Sequence, residues 1–190
     1  MNTAATNTRD QLVLEAQRLI LQRGSKGFSY RDLADIVGVK TSSIHYYFPS
    51  KDDLVMEAIS SYAIVSAQER ARIDPTLPAD QRLKAYIDSV RCESPQKSLL
   101  CLGGALAADF GCVPCSVQQV IARFFADNER WLADVLKDGQ EQGTLNVPGD
   151  PVVMGRILFA AIQGASMTNR LFGDYGRLRE LTKMVGLTLD

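Results

Sequence analysis

The fold is decided by residues 28–54, FSYRDLADIVGVKTSSIHYYFPSKDDL. Apolar side chains recur here at helical spacing and predict two short helices, over residues 30–37 and about 41–47. Gly38 lies between them, where it ends the first helix and allows a tight turn. Two short helices joined by such a turn have the dimensions of a helix-turn-helix motif.

The starts of these helices carry recognisable capping residues. Ser29 precedes the first short helix, and Asp32 follows at the spacing of a capping box. Thr41 or Ser42 is expected to cap the second short helix, and Ser50 to cap the longer helix that follows it. Local side chains therefore predict where each helix of the motif begins.

The rest of the chain is also predicted to be helical, so the fold class is all-α. Strand-like alternation is scarce, and proline and glycine fall between segments of helix length. One helix precedes the motif, which predicts a three-helix helix-turn-helix domain over residues 1–50 and a second helical domain over residues 51–190. The helices outside the motif are predicted over residues 9–23, 51–72, 79–92, 97–109, 115–142, 152–172 and 175–189.

The net charge is distributed unevenly along the chain. Its 190 residues carry 21 Lys and Arg against 22 Asp and Glu, a formal charge of −1. Residues 23–51 carry five basic and two acidic side chains, a net charge of +3, which leaves −4 for the remainder. This basic segment coincides with the helix-turn-helix, as contact with DNA phosphates requires.

Composition excludes several classes of protein. No stretch approaches the roughly 18 consecutive apolar residues of a membrane span, and the polar N-terminus lacks the apolar core of a signal peptide. We therefore expect a cytoplasmic protein with reduced thiols. His45 is the one histidine, which excludes a multi-histidine metal site and leaves no separate catalytic histidine. We expect no enzymatic activity, no cofactor, no metal and no membrane partner.

The second short helix has side chains suited to the major groove of DNA. It holds three small hydroxyl residues, then rings with hydrogen-bonding tips, and no acidic residue. Lys51 stands at the start of the next helix, where its ammonium group and the first-turn amides can meet a phosphate.

Residues 28–54 resemble the DNA-binding domain of TetR-family transcriptional regulators. The shared pattern is a hydroxyl cap, Leu-Ala, Gly-Val, a hydroxyl-rich turn, an aromatic Tyr-Phe and Pro-Ser-Lys, and the resemblance extends over residues 9–54. It implies that double-stranded operator DNA contacts Tyr30, Arg31, Lys40, Thr41, Ser42, Ser43, His45, Tyr46, Tyr47 and Lys51.

Three of these residues also have structural interpretations. As alternatives to DNA contact, Tyr47 could be packed mostly in the core, and Arg31 could be a solvated residue on a helix surface. A neutral His45, which stands where many members have Tyr, fits packing against Phe48.

The resemblance also implies the roles of the second domain. In this family the helices that follow the DNA-binding domain bind a small effector, and the last two helices form the homodimer interface. The two DNA-binding domains of the homodimer together read a palindromic operator. A ligand-responsive regulator, more commonly a repressor, is therefore expected. The segment over residues 152–171 is apolar on most sides, which suits burial on two faces, although a monomeric core is the alternative.

The effector is expected to be apolar or aromatic, because the second domain offers aromatic side chains and few polar groups for a pocket. The candidate lining residues are Tyr62, Cys101, Phe110, Phe124, Asn128, Trp131 and Gln163.

Cysteines suggest an alternative function. The segment around Cys101 resembles a sub-group with a Gly-Cys-Leu motif, although Leu100 replaces the glycine. Some regulators of that type respond to electrophiles or oxidants through a cysteine. A redox- or electrophile-sensing regulator that acts through Cys101, or through the Cys112 and Cys115 pair, is thus the alternative. Chemically inert cysteines are the simpler interpretation.

Overall fold

The computed structural model describes residues 8–90, 101–173 and 177–186. Every regular element in these ranges is helical, which confirms the predicted all-α fold. A short 3-10 turn, Phe110–Cys112, separates the sixth and seventh helices. None of the described helices is long and apolar enough to cross a membrane. The helices are α1 Thr8–Arg23, α2 Tyr30–Val37, α3 Thr41–Tyr47, α4 Lys51–Ala71, α5 Ala79–Val90, α6 Leu102–Ala108, α7 Cys115–Gln142, α8 Pro151–Phe172 and α9 Arg177–Lys183.

The first compact unit comprises Met1–Ile64 and Leu102–Ala122. In it α1 contacts α2, α3 and α6. The inward face of α1 is apolar because its buried side chains recur every three or four residues. This packing supports both short helices of the helix-turn-helix. The core of the unit includes Leu12, Leu19, Ile20, Leu33, Ile44, Phe48 and Leu54.

Polar groups tie α1 to its neighbours within this unit. Gln17 donates through Nε2 to the Ser61 hydroxyl on α4 at 3.0 Å. Beyond the end of α1, the amide of buried Ser25 donates to Asp109 Oδ2 at 2.6 Å. Gly24 has a φ of +77°, and a Cβ there would lie 3.1 Å from the same carboxylate oxygen. The turn after α1 therefore requires glycine for its backbone and for its close approach to Asp109.

The second compact unit comprises Val65–Cys101 and Arg123–Asp190. In it α8 packs against α9, and α7 approaches α8 closely at Gly155. A Cβ on Gly155 would lie 2.8 Å from both the Ala133 nitrogen and the Glu129 carbonyl oxygen, so a larger residue would push the two helices apart. The core of this unit includes Leu83, Ile87, Leu132, Leu136, Leu158, Phe159 and Ile162.

Two predicted helix starts are wrong. Lys40, with extended backbone, is the N-cap of α3, so Thr41 is already helical and neither Thr41 nor Ser42 is the cap. Cys101 precedes α6 and is not helical, whereas the sequence predicted a helix from residue 97. Parts of three predicted helices lie outside the described residues, namely 91–92, 97–100, 175–176 and 187–189.

The predicted division of the chain at residue 50 stays a prediction. α4 begins at Lys51 and continues to Ala71, while the first compact unit ends at Ile64 and the second begins at Val65. One continuous helix therefore belongs to both units.

Candidate functional site

Two serine capping boxes fix the helices on either side of α3. Ser29 Oγ accepts a hydrogen bond from the Asp32 amide at 3.3 Å, and Asp32 Oδ2 accepts one from the Ser29 amide at 2.7 Å. Ser50 and Asp53 repeat the arrangement at the start of α4, at 3.2 and 2.9 Å. These hydrogen bonds hold the pKa of both carboxyl groups below its ordinary value. Both predicted serine caps are confirmed, and the backbone is fixed before α2 and after α3.

α3 is anchored by one buried side chain and presents most of the others outward. Ile44 is fully buried, and Phe48, directly after the helix, is also in the core. Tyr46 is 82% exposed, and its ring meets the half-buried Tyr47 ring edge-on at 5.1 Å between centroids. Of the predicted contact residues, Arg31, Lys40, Thr41, Ser42, His45 and Tyr46 are exposed, and Tyr30, Ser43, Tyr47 and Lys51 are half-buried.

The cations beside α3 differ in how they are held. Arg23 Nη1 lies 3.9 Å from Asp32 Oδ1, a loose pair between half-exposed side chains. Among the described residues no carboxylate pairs with Arg31 or Lys40. Their charges therefore remain available to an anion outside the protein.

Tyr30 clamps α2 to the turn after α3. Its hydroxyl group lies 2.9 Å from the Phe48 carbonyl oxygen and 2.5 Å from that of Ser50. Burial, followed by the charges of Asp53 and Asp52, raises the pKa of Tyr30 to about 12. The hydroxyl group is thus neutral at physiological pH and is directed at the protein itself.

His45 and Lys51 also make contacts within the unit. The His45 ring meets the Tyr30 ring edge-on at 4.8 Å, and its Nδ1 lies 3.3 Å from the Pro49 carbonyl oxygen. Lys51 donates through Nζ to the Phe28 carbonyl and lies 4.1 Å above the Phe28 ring. Burial, followed by the charge of Lys26, lowers the pKa of Lys51. The structure therefore gives Lys51 a packing role that the sequence did not predict.

In the second unit, polar side chains from three helices meet at Asn128 of α7. Asn128 is 1% exposed, and its Oδ1 accepts from Arg70 Nη1 at 2.7 Å and from the Tyr86 hydroxyl group at 3.1 Å. Its Nδ2 donates to the Phe124 carbonyl at 2.7 Å. Both ends of the amide are occupied, so its orientation is fixed. We call Arg70, Tyr86 and Asn128 the interior polar cluster.

Two of these three residues, Arg70 and Tyr86, were not predicted from the sequence. Arg70 lies in the run QERAR, whose charges look like an ordinary solvated helix face. Tyr86 lies between Leu83 and Ile87 at helical spacing, which predicts a core position and gives no sign of a polar partner.

One aromatic ring lies directly against this cluster, and others pack between α7 and α8. Trp131 stacks on Tyr86 with 5.0 Å between centroids and 30° between planes. Phe124 and Phe125 of α7 meet Phe159 of α8 edge-on at 6.3 and 5.2 Å. Aromatic surface and a polar centre therefore lie together in the core of the second unit.

Cys101 belongs to the second unit and is half-buried. Gln163 is half-buried on α8. Tyr62 and Phe110 belong to the first unit, where Tyr62 is half-buried and Phe110 is 51% exposed.

Comparison with known proteins assigns the family. Residues 12–58 match the family described as "Bacterial regulatory proteins, tetR family". Residues 79–185 match "Tetracyclin repressor-like, C-terminal domain". The chain belongs to the TetR family. It is a DNA-binding, helix-turn-helix transcriptional repressor, and the resemblance found in residues 28–54 is confirmed.

Three known proteins illustrate the similarity. A regulator from Agrobacterium tumefaciens is 29% identical, with a TM-score of 0.87 over 93% of this chain and 94% of that chain. The repressor DhaR from Mycobacterium sp. (strain GP1) is 23% identical over 177 residues, 88% of this chain and 85% of DhaR. The repressor NemR from Escherichia coli (strain K12) is 22% identical over 174 residues, 87% of this chain and 85% of NemR.

The C-terminal helices of this TetR-family chain leave an apolar surface in solvent. A shallow hollow between α8 and α9 is lined by apolar residues that include Ile157, Ala161 and Met184. Large apolar side chains exposed on these helices and the turn after α9 are Val152, Val153, Ile157, Met167, Leu171, Phe172 and Met184. Single exposed apolar residues are ordinary, whereas a contiguous apolar patch is typical of an interaction surface.

The thiols at the start of α7 are solvent-accessible. Cys112 and Cys115 are both exposed and carry no disulfide. The described ranges hold no group of three His, Cys, Asp or Glu residues that could bind a metal ion.

Proposed function

We propose that this TetR-family chain is a ligand-responsive repressor that binds a palindromic operator as a homodimer and is released by a small effector. The observation that carries the proposal is the outward face of α3. Its hydroxyl and aromatic side chains are exposed, and capping boxes and the Tyr30 clamp hold its backbone in place. A rigid helix with short polar side chains is what readout in the major groove requires.

Contact roles within the proposed interface follow from exposure. Thr41, Ser42 and Tyr46 have exposed polar groups that suit bases or phosphates, and Arg31 and Lys40 supply positive charge. Ser43 and Tyr47 lie at the edge of this face. Tyr30, His45 and Lys51 contribute chiefly by fixing the geometry, although the Lys51 ammonium group has further N–H donors for a phosphate.

Dimerisation is proposed through α8 and α9, because a second copy would cover their exposed apolar side chains. An isologous contact of this kind builds a two-fold pair of readers, as a palindrome demands. The proposed division of labour is a DNA-binding domain over residues 1–50 and an effector and dimerisation domain over residues 51–190. Ile157→Glu is expected to give monomers in sedimentation analysis and to weaken operator binding, whereas dimers in this variant would contradict the interface.

The DNA-binding proposal is tested on the promoter region upstream of the chain's own gene. Removing both exposed hydroxyl groups of α3 in Thr41→Ala/Ser42→Ala is expected to weaken binding at least tenfold without loss of thermal stability. Ser116→Ala removes an exposed hydroxyl group from α7 and is the control, with unchanged affinity expected. Equal affinity for all three proteins would contradict the proposed role of α3.

A second candidate function is redox or electrophile sensing, which the exposed pair Cys112 and Cys115 and the half-buried Cys101 support. Thiol alkylation of the wild type would then release DNA. If Cys101 is the sensor, Cys101→Ser would abolish that release. If the pair is the sensor, Cys112→Ser/Cys115→Ser would abolish it. DNA binding that persists after complete alkylation would exclude this mode.

A further inference from the structure

Arg70 is a cation in the second unit that lacks a counter-charge among the described residues. It lies in the last turn of α4, and its Nη1 donates to Ser66 Oγ at 3.0 Å and to Asn128 Oδ1 at 2.7 Å. Both partners are neutral. By contrast, Arg72 two residues later pairs with Glu69 and has a 71% exposed side chain.

The contacts of Arg70 occupy one corner of its guanidinium group. Both hydrogens of Nη1 are engaged by Ser66 and Asn128, whereas no described residue accepts from Nε or Nη2. The Nε and Nη2 donors form the planar edge that binds a carboxylate in a bidentate manner. The protein therefore orients the guanidinium group by one side and leaves the carboxylate-binding edge unfilled.

A neutral polar group and an aromatic surface lie beside this cation. Tyr86 is 2% exposed, and burial raises its pKa, so its hydroxyl group stays protonated and hydrogen-bonds Asn128. Trp131 stacks on Tyr86 at 5.0 Å. A ligand with a carboxylate and a flat apolar body would match both kinds of surface, and the interior polar cluster provides no competing negative charge.

We propose that Arg70, oriented by Ser66 and Asn128, binds the carboxylate of the effector, and that the effector is a small aromatic carboxylic acid in its ionised form. This inference rests on the proposed effector response and gives the effector a chemical class. It refines the expectation of an apolar or aromatic effector, because that expectation did not include the half-buried cation Arg70.

The position of Arg70 also supplies a route to the DNA-binding unit. A carboxylate on the unfilled edge attracts the guanidinium group, which stays bound to Asn128 through Nη1. Because Arg70 belongs to the last turn of α4, that attraction acts on a helix which continues back to Lys51 beside α3. The effector then needs a higher affinity for the DNA-free state than for the DNA-bound state, and that difference sets the size of the response.

The test compares carboxylates with their neutral amides. Benzoate, 2-naphthoate and cinnamate are titrated into the full-length protein, each beside its primary amide, with thermal unfolding and calorimetry as readouts. At least one carboxylate is expected to raise Tm and to bind at least tenfold more tightly than its amide. Failure of all three carboxylates to bind, or equal binding by acid and amide, would overturn the proposal.

Matched variants test whether Arg70 is the cation that binds the carboxylate. Arg70→Gln is expected to lose at least tenfold in carboxylate affinity, and Arg72→Gln, which removes a cation two residues away, to bind as the wild type does. Arg70→Lys keeps the charge without the bidentate edge and gives a folded comparison with intermediate affinity. Equal carboxylate affinity in Arg70→Gln and wild type would contradict the assignment.

Operator binding without any ligand is measured on the same samples, so the two proposals can fail separately. Loss of the DNA result alone would remove the repressor function and leave the carboxylate site. Loss of the carboxylate result alone would leave the repressor without this effector class.

Discussion

Two tyrosine hydroxyl groups at the helix-turn-helix should have different roles, one in the stability of the fold and the other in binding to DNA. Removing each hydroxyl group separately tests the two roles. The hydroxyl group of Tyr30 is directed at the Phe48 and Ser50 carbonyls, at 2.9 and 2.5 Å. The hydroxyl group of Tyr46 belongs to a side chain that is 82% exposed on α3. Tyr30→Phe should therefore affect stability, and Tyr46→Phe should affect affinity for DNA.

The expected loss for Tyr30→Phe follows from its contacts. One hydroxyl hydrogen is shared between two carbonyls, and the Ser50 contact lies near solvent, so water replaces part of the interaction in the variant. The net cost is about 1 kcal/mol, the usual worth of one hydrogen bond. For a chain of this size that corresponds to a decrease in Tm of about 2–4 °C. DNA affinity measured well below Tm should stay within about twofold of wild type.

Tyr46→Phe should show the reverse pattern. Its exposed hydroxyl group contributes less than about 0.5 kcal/mol to folding. A hydrogen bond to a charged phosphate is worth about 1.5 kcal/mol, so its loss weakens DNA binding roughly tenfold for each reader. Calorimetric unfolding and fluorescence anisotropy on promoter DNA measure the two quantities. A Tyr30→Phe protein with unchanged Tm and tenfold weaker DNA binding would refute the clamp.

Three further predictions concern the framework. Gly155→Ala places a Cβ 2.8 Å from the backbone of α7. The variant should lower the free energy of unfolding, measured by urea titration, by about 1–3 kcal/mol. An unchanged free energy would mean that α7 and α8 are not closely packed at Gly155. Asp109→Ala leaves the buried Ser25 amide without its acceptor and should lower the free energy of unfolding by about 1–3 kcal/mol. Asp109→Asn keeps an acceptor oxygen and should lose less. Equal losses in the two variants would show that the Ser25 amide does not depend on this acceptor. The pKa of Tyr30 is raised to about 12 in the folded protein from 10.0, so its contribution is complete below pH 10 and is lost as pH rises towards 12. The stability difference between wild type and Tyr30→Phe should narrow over that window, and a constant difference would contradict the raised pKa.

Local chemistry made the helix-turn-helix predictable. Ser29 with Asp32, and Ser50 at the start of α4, act within four residues of themselves, so their capping roles are visible in the sequence. The start of α3 was harder to predict, because Lys40 takes the N-cap position by backbone conformation without a side-chain hydrogen bond. A sequence pattern of hydroxyl residues predicts a cap only where the side chain supplies it.

The features that the sequence did not predict depend on contacts between residues far apart in the chain. Lys51 was expected at a phosphate, yet its partner is the Phe28 carbonyl, 23 residues away. Arg70 and Asn128 are separated by 58 residues, and nothing near either one indicates the other. Asn128, Trp131 and Phe124 were predicted as pocket residues from their types alone, and the structure places all three on one stretch of α7 near Tyr86 or Phe159.

The salt dependence of binding to promoter DNA tests most directly whether the exposed face of α3 is the DNA reader. Anisotropy titrations between 50 and 200 mM salt compare wild type, Lys40→Ala and Lys137→Ala, the last a control with an exposed lysine on α7. Wild-type log K should fall linearly with log salt concentration. Lys40→Ala should reduce the slope by about one for each phosphate that the lysine neutralises in the wild type, and Lys137→Ala should leave the slope unchanged. Binding that is insensitive to salt, or equal slopes for the three proteins, would contradict DNA recognition by this face.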